Sequence, residues 1–257
     1  MAIEFYKYQG TGNDFVMIDN RQLQFDKNNT KLVAQLCDRR FGIGADGLIL
    51  LENHDTADFT MVYYNSDGNP STMCGNGGRC IVAFAKFLGI IENITTFEAV
   101  DGTHHAHIEH DVVKLQMQDV TEIEANGDFV FLDTGSPHHV TRVKDLANFN
   151  VTEEGAKIRY SDLYGKAGSN VNFVSKVSDD TFRLRTYERG VEDETLSCGT
   201  GATAVALAMN YIGETEKNLI TLNVEGGQVQ VSFNKIGNGY ENVCLIGPAK
   251  QVFKGKW

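Results

Sequence analysis

Met73-Cys74-Gly75-Asn76-Gly77-Gly78-Arg79 and Ser197-Cys198-Gly199-Thr200-Gly201-Ala202-Thr203 are two versions of one pattern. Each sets a cysteine before a Gly-x-Gly turn. Each turn leads into an apolar, helix-like stretch that stops at a glycine fifteen residues after its cysteine, Gly89 and Gly213. The cysteines are 124 residues apart in a chain of 257, the signature of an internal duplication. The surroundings agree. Thr11-Gly12-Asn13 is echoed by Thr134-Gly135-Ser136. The strand-like run from Phe59 to Asn65 is echoed from Phe182 to Glu188. Asp101-Gly102 is matched to Glu225-Gly226 as the turn of a hairpin, and the offset stays at 123 or 124. Four matches in one order at one offset carry weight that no single match has.

Each half therefore contains several strands, a helix after the cysteine and a hairpin after the helix. Ile81, Val82, Phe84, Ala85, Phe87 and Leu88 in the first helix, and Ala204, Val205, Leu207, Ala208 and Ile212 in the second, are apolar around most of the circumference. Such helices are buried on nearly all sides. The expected fold class is α+β: two pseudo-symmetric domains, each a strand-rich, barrel-like sheet around a central helix. The first domain spans 1–118 and carries Cys74, with the C-terminal segment 246–257 a candidate to complete it. The second spans 119–245 and carries Cys198.

A formal charge of -11 argues against general binding to nucleic acid or anionic membranes, which need excess Lys and Arg. No apolar run reaches membrane-spanning length, and the N-terminus lacks the pattern of a signal peptide. Five cysteines at irregular spacing read as reduced thiols of a cytoplasmic protein.

The cysteine turns carry the chemistry. The first turn of a helix has unsatisfied N–H groups and partial positive charge. A thiol there is easier to ionise, and the same N–H groups can hold a carboxylate. Two such turns can hold one substrate by its α-carboxylate with a sulfur on each face of Cα. One sulfur removes the proton and the other returns one. This is stereoinversion by two bases, with the helix termini stabilising the developing charge.

The chain resembles the diaminopimelate epimerase family. The resemblance rests on Gly10-Thr11-Gly12-Asn13-Asp14-Phe15, Met73 to Cys80, Gly135-Ser136-Pro137-His138, Gly168 to Phe173, and Glu188-Arg189-Gly190 leading to Cys198-Gly199-Thr200-Gly201. It implies an isomerase that interconverts LL- and meso-diaminopimelate, a lysine and peptidoglycan precursor, without metal, pyridoxal phosphate or other cofactor. It implies Cys74 and Cys198 as the two bases. It implies that Gly75, Asn76, Gly199 and Thr200 hold the reacting carboxylate, and that Asn13, Asn65, Asn170, Glu188 and Arg189 line the substrate site, which lies in a cleft between the domains. A homodimer is one of the assemblies open to it. Three features depart from the family pattern: Ser136 where Asn is common, Gly47 where Gln is common, and one extra residue between Arg189 and Cys198. The last leaves Glu192, Asp193 and Glu194 as alternatives for one acidic position.

Other readings compete. Cys37, Cys80 and Cys244 read as core thiols, with Cys80 facing away from the site. His105, His107 and Glu109 share one face of a strand, a pattern that a metal site and a solvated face both produce. Of His138 and His139, one is placed to reach a thiol and the other reads as structural. Gly42-Ile43-Gly44-Ala45-Asp46-Gly47 lacks the spacing of a dinucleotide loop. The rival functions are racemisation of another amino acid, thiol–disulfide exchange, and binding without catalysis.

Overall fold

The computed structural model describes residues 2–257. In chain order the elements are β1 (Glu4–Gly10), β2 (Asn13–Asp19), α1 (Thr30–Cys37), β3 (Gly47–Glu52), β4 (Phe59–Asn65), α2 (Gly75–Phe87), β5 (Ile94–Ala99), β6 (Gly102–Glu109), β7 (Val112–Gln116), β8 (Ile123–Ala125), β9 (Phe129–Asp133), β10 (Pro137–Arg142), α3 (Val151–Arg159), β11 (Asn170–Lys176), β12 (Thr181–Glu188), β13 (Asp193–Thr195), α4 (Gly199–Tyr211), β14 (Leu219–Val224), β15 (Gly227–Ile236), β16 (Gly239–Pro248) and β17 (Lys250–Lys256). They form two compact units. One is the chain up to Leu115 together with Gly247–Trp257; the other is Gln116–Ile246. The fold is α+β, as expected.

The duplication is visible in the pairing. In the first unit β1–β2 is antiparallel, β2–β3 parallel, β3–β4 antiparallel, β4–β5 parallel, and β5–β6 and β6–β7 antiparallel. In the second the same alternation runs through β9–β10, β10–β11, β11–β12, β12–β14, β14–β15 and β15–β16. The outer neighbour of the leading strand has a different origin in each. β8, which precedes β9, pairs with it. In the first unit the chain's last strand, β17, pairs with β1.

Each sheet curves around its central helix. α2 packs on β1, β2, β3, β6 and β17; α4 packs on β9, β10, β11, β12, β14 and β15. In β3 every residue is buried, because the sheet is covered on both faces. Leu48 and Leu50 meet Val33 and Leu36 of α1, while Ile49 reaches toward α2 at Gly77. Val171 and Phe173 of β11 pack in the same way with Val151 of α3. The sequence reading did not foresee α1 and α3. They are short, and helices of that length depend on packing more than on propensity.

α2 and α4 each have thirteen residues, and each ends in the same way. Gly89 (φ 70) and Gly213 (φ 76) take the left-handed conformation. Their N–H groups bond to Lys86 O and Asn210 O. Ile90 and Glu214 then bond back to Ala85 O and Met209 O. These are matching glycine-terminated caps.

Three sequence expectations need correction. The hairpins align at an offset of 125, not 124: Ala99 pairs with Gly102 and Val224 with Gly227, and the positive φ falls on Gly102 and Gly227. One residue inserted after α4 shifts the register. Phe87 is 52% exposed, since it lies in the last turn of α2, where only Tyr6 of β1, at 5.4 Å between ring centroids, packs a ring against it among the described residues. Cys244 is half-buried on the outer face of β16, between the core residues Val243 and Leu245; strand alternation puts it there. Cys37 and Cys80 are core thiols, both pushed up to about 12 by burial.

Because the two caps are alike, Gly89→Ala and Gly213→Ala should cost similar stability, about 1–2 kcal/mol each, as an L-residue is forced into the left-handed region. Urea unfolding of both variants checks this; one tolerated substitution beside one damaging one would break the equivalence.

Candidate active site

Cys74 and Cys198 occupy the N-cap positions of α2 and α4, in extended backbone conformation. The two outer helices are capped differently. Asn29 and Asn150 accept from Leu32 N and Glu153 N, the usual use of a polar N-cap. Sulfur is a weaker acceptor, so the central helices begin without the strong cap that the outer two have.

In the first unit, Cys74 Sγ lies 3.6 Å from Asn13 Oδ1. Asn76 Nδ2 donates to the same oxygen at 3.2 Å. Asn13 Nδ2 donates to Asp46 Oδ2 at 2.6 Å, which fixes the amide with its oxygen toward Cys74. Asp46 is held in turn by Arg39 at 2.7 Å. Arg39 also binds Asp14 at 2.7 Å, and Lys7 binds Asp14 at 2.7 Å and donates to Gly44 O. Burial pushes the Asp14 carboxyl up, but the bonds and charges of Arg39 and Lys7 outweigh it and hold the group below the ordinary carboxylate range. Asn65 is exposed at the end of β4, paired across the ladder with Gly47. Gly47 fits because its space is taken. A Cβ there would lie 2.5 Å from Tyr63 Cε2 and 2.6 Å from Tyr64 O.

In the second unit, Cys198 Sγ accepts from Gly201 N at 3.4 Å and lies 3.5 Å from Thr200 Oγ1. Behind it, Asn172 Nδ2 donates to His138 Nδ1 (3.1 Å) and to His139 O (3.0 Å), while Asn172 Oδ1 accepts from Thr186 Oγ1 (3.0 Å). Burial first, then the Arg189 cation, lower the His138 pKa to about 3. The ring is therefore neutral, and since Nδ1 accepts, its proton sits on Nε2. That atom is buried and has no hydrogen-bond partner among the described residues. His139 stacks on Phe129 and bonds to Tyr164 Oη at 2.7 Å.

Asn170 is nearly inaccessible. Its Nδ2 donates to Ser136 Oγ and Pro137 O, and its Oδ1 accepts from Arg189 N. It braces the backbone that presents Arg189, and Ser136 is the length that this bond needs. Glu188 accepts from Thr195 Oγ1 at 3.0 Å. The extra residue in the following loop leaves all three acids engaged in holding it. Glu192 (φ 59) accepts from Arg159, Tyr187 Oη and Gly190 N. Asp193 accepts from Thr152, and Glu194 takes a two-pronged bond from Arg185.

The two half-sites share a backbone plan and differ in where polarity is buried. The inner sheet positions hold Phe15, Ile49 and Tyr63 in the first unit and His138, Asn172 and Thr186 in the second, at matching registers. On the helices the order reverses: Asn76 and Arg79 stand where the second unit has Thr200 and Thr203. Asp46, Asn172 and Thr186 escaped the sequence reading as site residues. Their one signal was membership of short motifs, and it did not show which way they point.

A family model described as "Diaminopimelate epimerase" matches residues 5–123 and 130–252. A diaminopimelate epimerase of Flavobacterium psychrophilum is 64% identical over 253 residues, covering 98% of this chain and 99% of that one. One of Chlorobaculum tepidum is 43% identical, covering 96% and 98%. Among solved structures, a PhzF-family phenazine biosynthesis protein of Bacillus anthracis superposes with a TM-score of 0.80 over 100% of this chain and 99% of its own, at 13% identity, a likeness of fold alone.

The Asp14 network has a definite pH dependence. Its carboxyl is depressed in the folded state, so its contribution is present above the unfolded pKa of about 4 and is lost as pH falls through the lower folded value. Asp14→Asn should therefore destabilise the protein at pH 7, and the gap to wild type should close in acid. Equal urea-midpoint differences at pH 7 and pH 3 would contradict this.

Proposed function

The chain belongs to the diaminopimelate epimerase family, and on that premise we propose that Cys74 and Cys198 are its two proton-transfer groups. The activity is that of the family: this is an isomerase of lysine biosynthesis that interconverts LL- and meso-diaminopimelate. The observation that carries the mechanistic reading is the placement of both cysteines as N-caps of the two equivalent buried helices.

The α-proton of an amino acid is held tightly because the carbanion left behind lies beside a carboxylate. Both helix starts address this difficulty. The amides of Gly75 and Asn76, and of Gly199 and Thr200, are oriented toward an anion by the helices they begin. Charge moving into the α-carboxylate meets fixed dipoles that need no reorganisation. One sulfur, as thiolate, removes the proton. The other, as thiol, delivers one to the opposite face, and their roles exchange in the reverse direction. Two thiolates at one substrate would repel, so a single proton is shared between the sulfurs and their titration is coupled.

At the first half-site, Asn13 and Asn76 orient the substrate, their amides locked by Asp46 and by each other. Neutral His138, held by Asn172, adds no charge to the second half-site. Arg189, presented by Asn170, is the cation for the distal carboxylate, since a guanidinium fork matches that group. Glu188 and Asn65 complete the distal end and take its ammonium. No helix among the described residues is long and apolar enough to cross a membrane. A cytoplasmic location belongs to the same proposal, because a thiol–thiolate pair works only under reducing conditions.

Cys74→Ala and Cys198→Ala should each lower inversion by at least about 10²-fold, the lower end for a positioned acid–base group. In deuterated water the wild type should place solvent deuterium at Cα of the inverted product. Full inversion by either variant, or inversion without deuterium, would refute the two-base mechanism; exchange with another amino acid but not with diaminopimelate would move the substrate assignment.

A further inference from the structure

Three stretches of the second unit meet at Arg159, the last residue of α3. Its side chain is only 11% exposed. Nη2 donates to Glu192 Oε1 at 3.1 Å, and Cζ stands 4.8 Å from the centre of the Tyr160 ring. The guanidinium also fills the space beside Gly168, where a Cβ would overlap Nη1 and Cζ. Gly168 has φ 63, so glycine is required there by the backbone and by Arg159 alike. Nε is buried and has no hydrogen-bond partner among the described residues, a cost that the position must offset. A cation in the last turn of a helix is favourable in itself, but that role needs no burial. Lys157 fills it from solvent in the same turn.

Glu192 is the second unusual residue. Its φ of 59 lies in the left-handed region, which a residue with a side chain rarely adopts and glycine adopts freely. If the loop needed only this turn, glycine would serve it better. The carboxylate explains the choice. Oε1 accepts from Arg159 and from Gly190 N, both at 3.1 Å, and Oε2 accepts from Tyr187 Oη at 3.2 Å. Burial pushes this carboxyl up, but the Gly190 amide, Tyr160 and Arg159 outweigh it and keep the group ionised. A strained backbone persists where its surroundings over-determine it, and such places gather at functional sites.

Arg189 stands between the two stretches that Arg159 joins. On one side, its N–H donates to Asn170 Oδ1 at 2.9 Å and its Nη1 donates to Ala167 O at 3.3 Å. Main chain and guanidinium are both tied to residues 167–170, the segment that packs on Arg159 at Gly168. On the other side, Arg189 is followed by Gly190, whose N–H is held by Glu192. We propose that Arg159 is a positioning residue for substrate recognition: with Glu192 it clamps residues 167–170 to residues 189–192, and so fixes where the Arg189 fork stands. The clamp touches no substrate. It acts through Arg189, and a fork that is displaced grips a carboxylate poorly.

The inference rests on Arg189 being the cation for the distal carboxylate. That end of the substrate does not react, so the effect should fall on KM more than on kcat. Arg159→Met, which keeps the length and removes the donors, and Glu192→Gly, which suits the turn and removes the carboxylate, should each raise KM for LL-diaminopimelate about tenfold and leave kcat within about threefold. Arg189→Ala should raise KM at least as much. Either clamp variant added to Arg189→Ala should raise it less than about twofold further, because both act on one group. Calorimetric binding of diaminopimelate replaces KM where turnover is too slow. A wild-type KM in Glu192→Gly, a loss confined to kcat, or additive effects in the double variants would overturn the proposal. If Arg159→Met does not fold, Glu192→Gly decides alone, by its KM and by its double variant with Arg189→Ala. An unchanged KM in Arg189→Ala would refute the assignment of Arg189 itself; a raised KM there beside unaffected clamp variants would refute only the clamp.

Discussion

A helix buried on every side still has to leave its first turn open if that turn is to hold an anion. This constraint organises each unit. A buried helix start with no strong cap would be costly, and an ordinary Asn or Ser cap would occupy the N–H groups a ligand needs. Cysteine at the N-cap meets both demands: it bonds those groups weakly and can itself carry charge. The curved sheet follows from the rest of the helix. α4 is buried along nearly its whole length, so strands must cover it from all around. The paired turns and the small residues near the helix starts follow from the need to bring backbone close to the sulfur.

The duplicated plan makes the two half-sites alike in backbone, and buried polar groups break the likeness. The first unit has an apolar inner sheet at Phe15 and Ile49 and keeps its polarity on the helix, in Asn76 and Arg79. The second keeps polarity on the sheet, in His138, Asn172 and Thr186, behind a helix of Ala, Thr and Val. Each arrangement is a set of linked hydrogen bonds, and neither can be exchanged residue for residue with the other. On the proposed two-base mechanism the two sulfurs exchange roles with the direction of the reaction. That exchange does not require them to sit in like surroundings, and the surroundings of Cys74 and Cys198 are not alike.

Much of this was legible in the sequence because it depends on local rules. Cysteine before Gly-x-Gly, a fully apolar helix, a glycine stop and a repeat near half the chain length all act within a few residues, and the structure shows the helices where those signals put them. The hairpin offset was misread by one because Glu225-Gly226 and Gly226-Gly227 are equally good turn signals; only the ladder tells them apart. Cys244 was misassigned because strand direction, not residue type, decides which face it takes. The burial of Arg79 escaped the sequence for a deeper reason. A charged residue in a glycine-rich turn reads as solvent-exposed by default, and its burial is imposed by β1 and by Gly10, over sixty residues earlier. Asp46 and Asn172 likewise gain their roles from partners far away in sequence, Asn13 and His138.

The order in which the strands appear also bears on biosynthesis. In the second unit β8 is made just before β9, so the leading strand meets its neighbour at once. In the first unit β1 precedes every other described strand, while its outer partner β17 follows all of them. As the chain leaves the ribosome, β1 presents an open edge until the whole second unit has emerged. An exposed strand edge is a template for association with other chains. The first unit thus keeps an open edge that only residues 250–256, remote in sequence from both cysteines, come to cover.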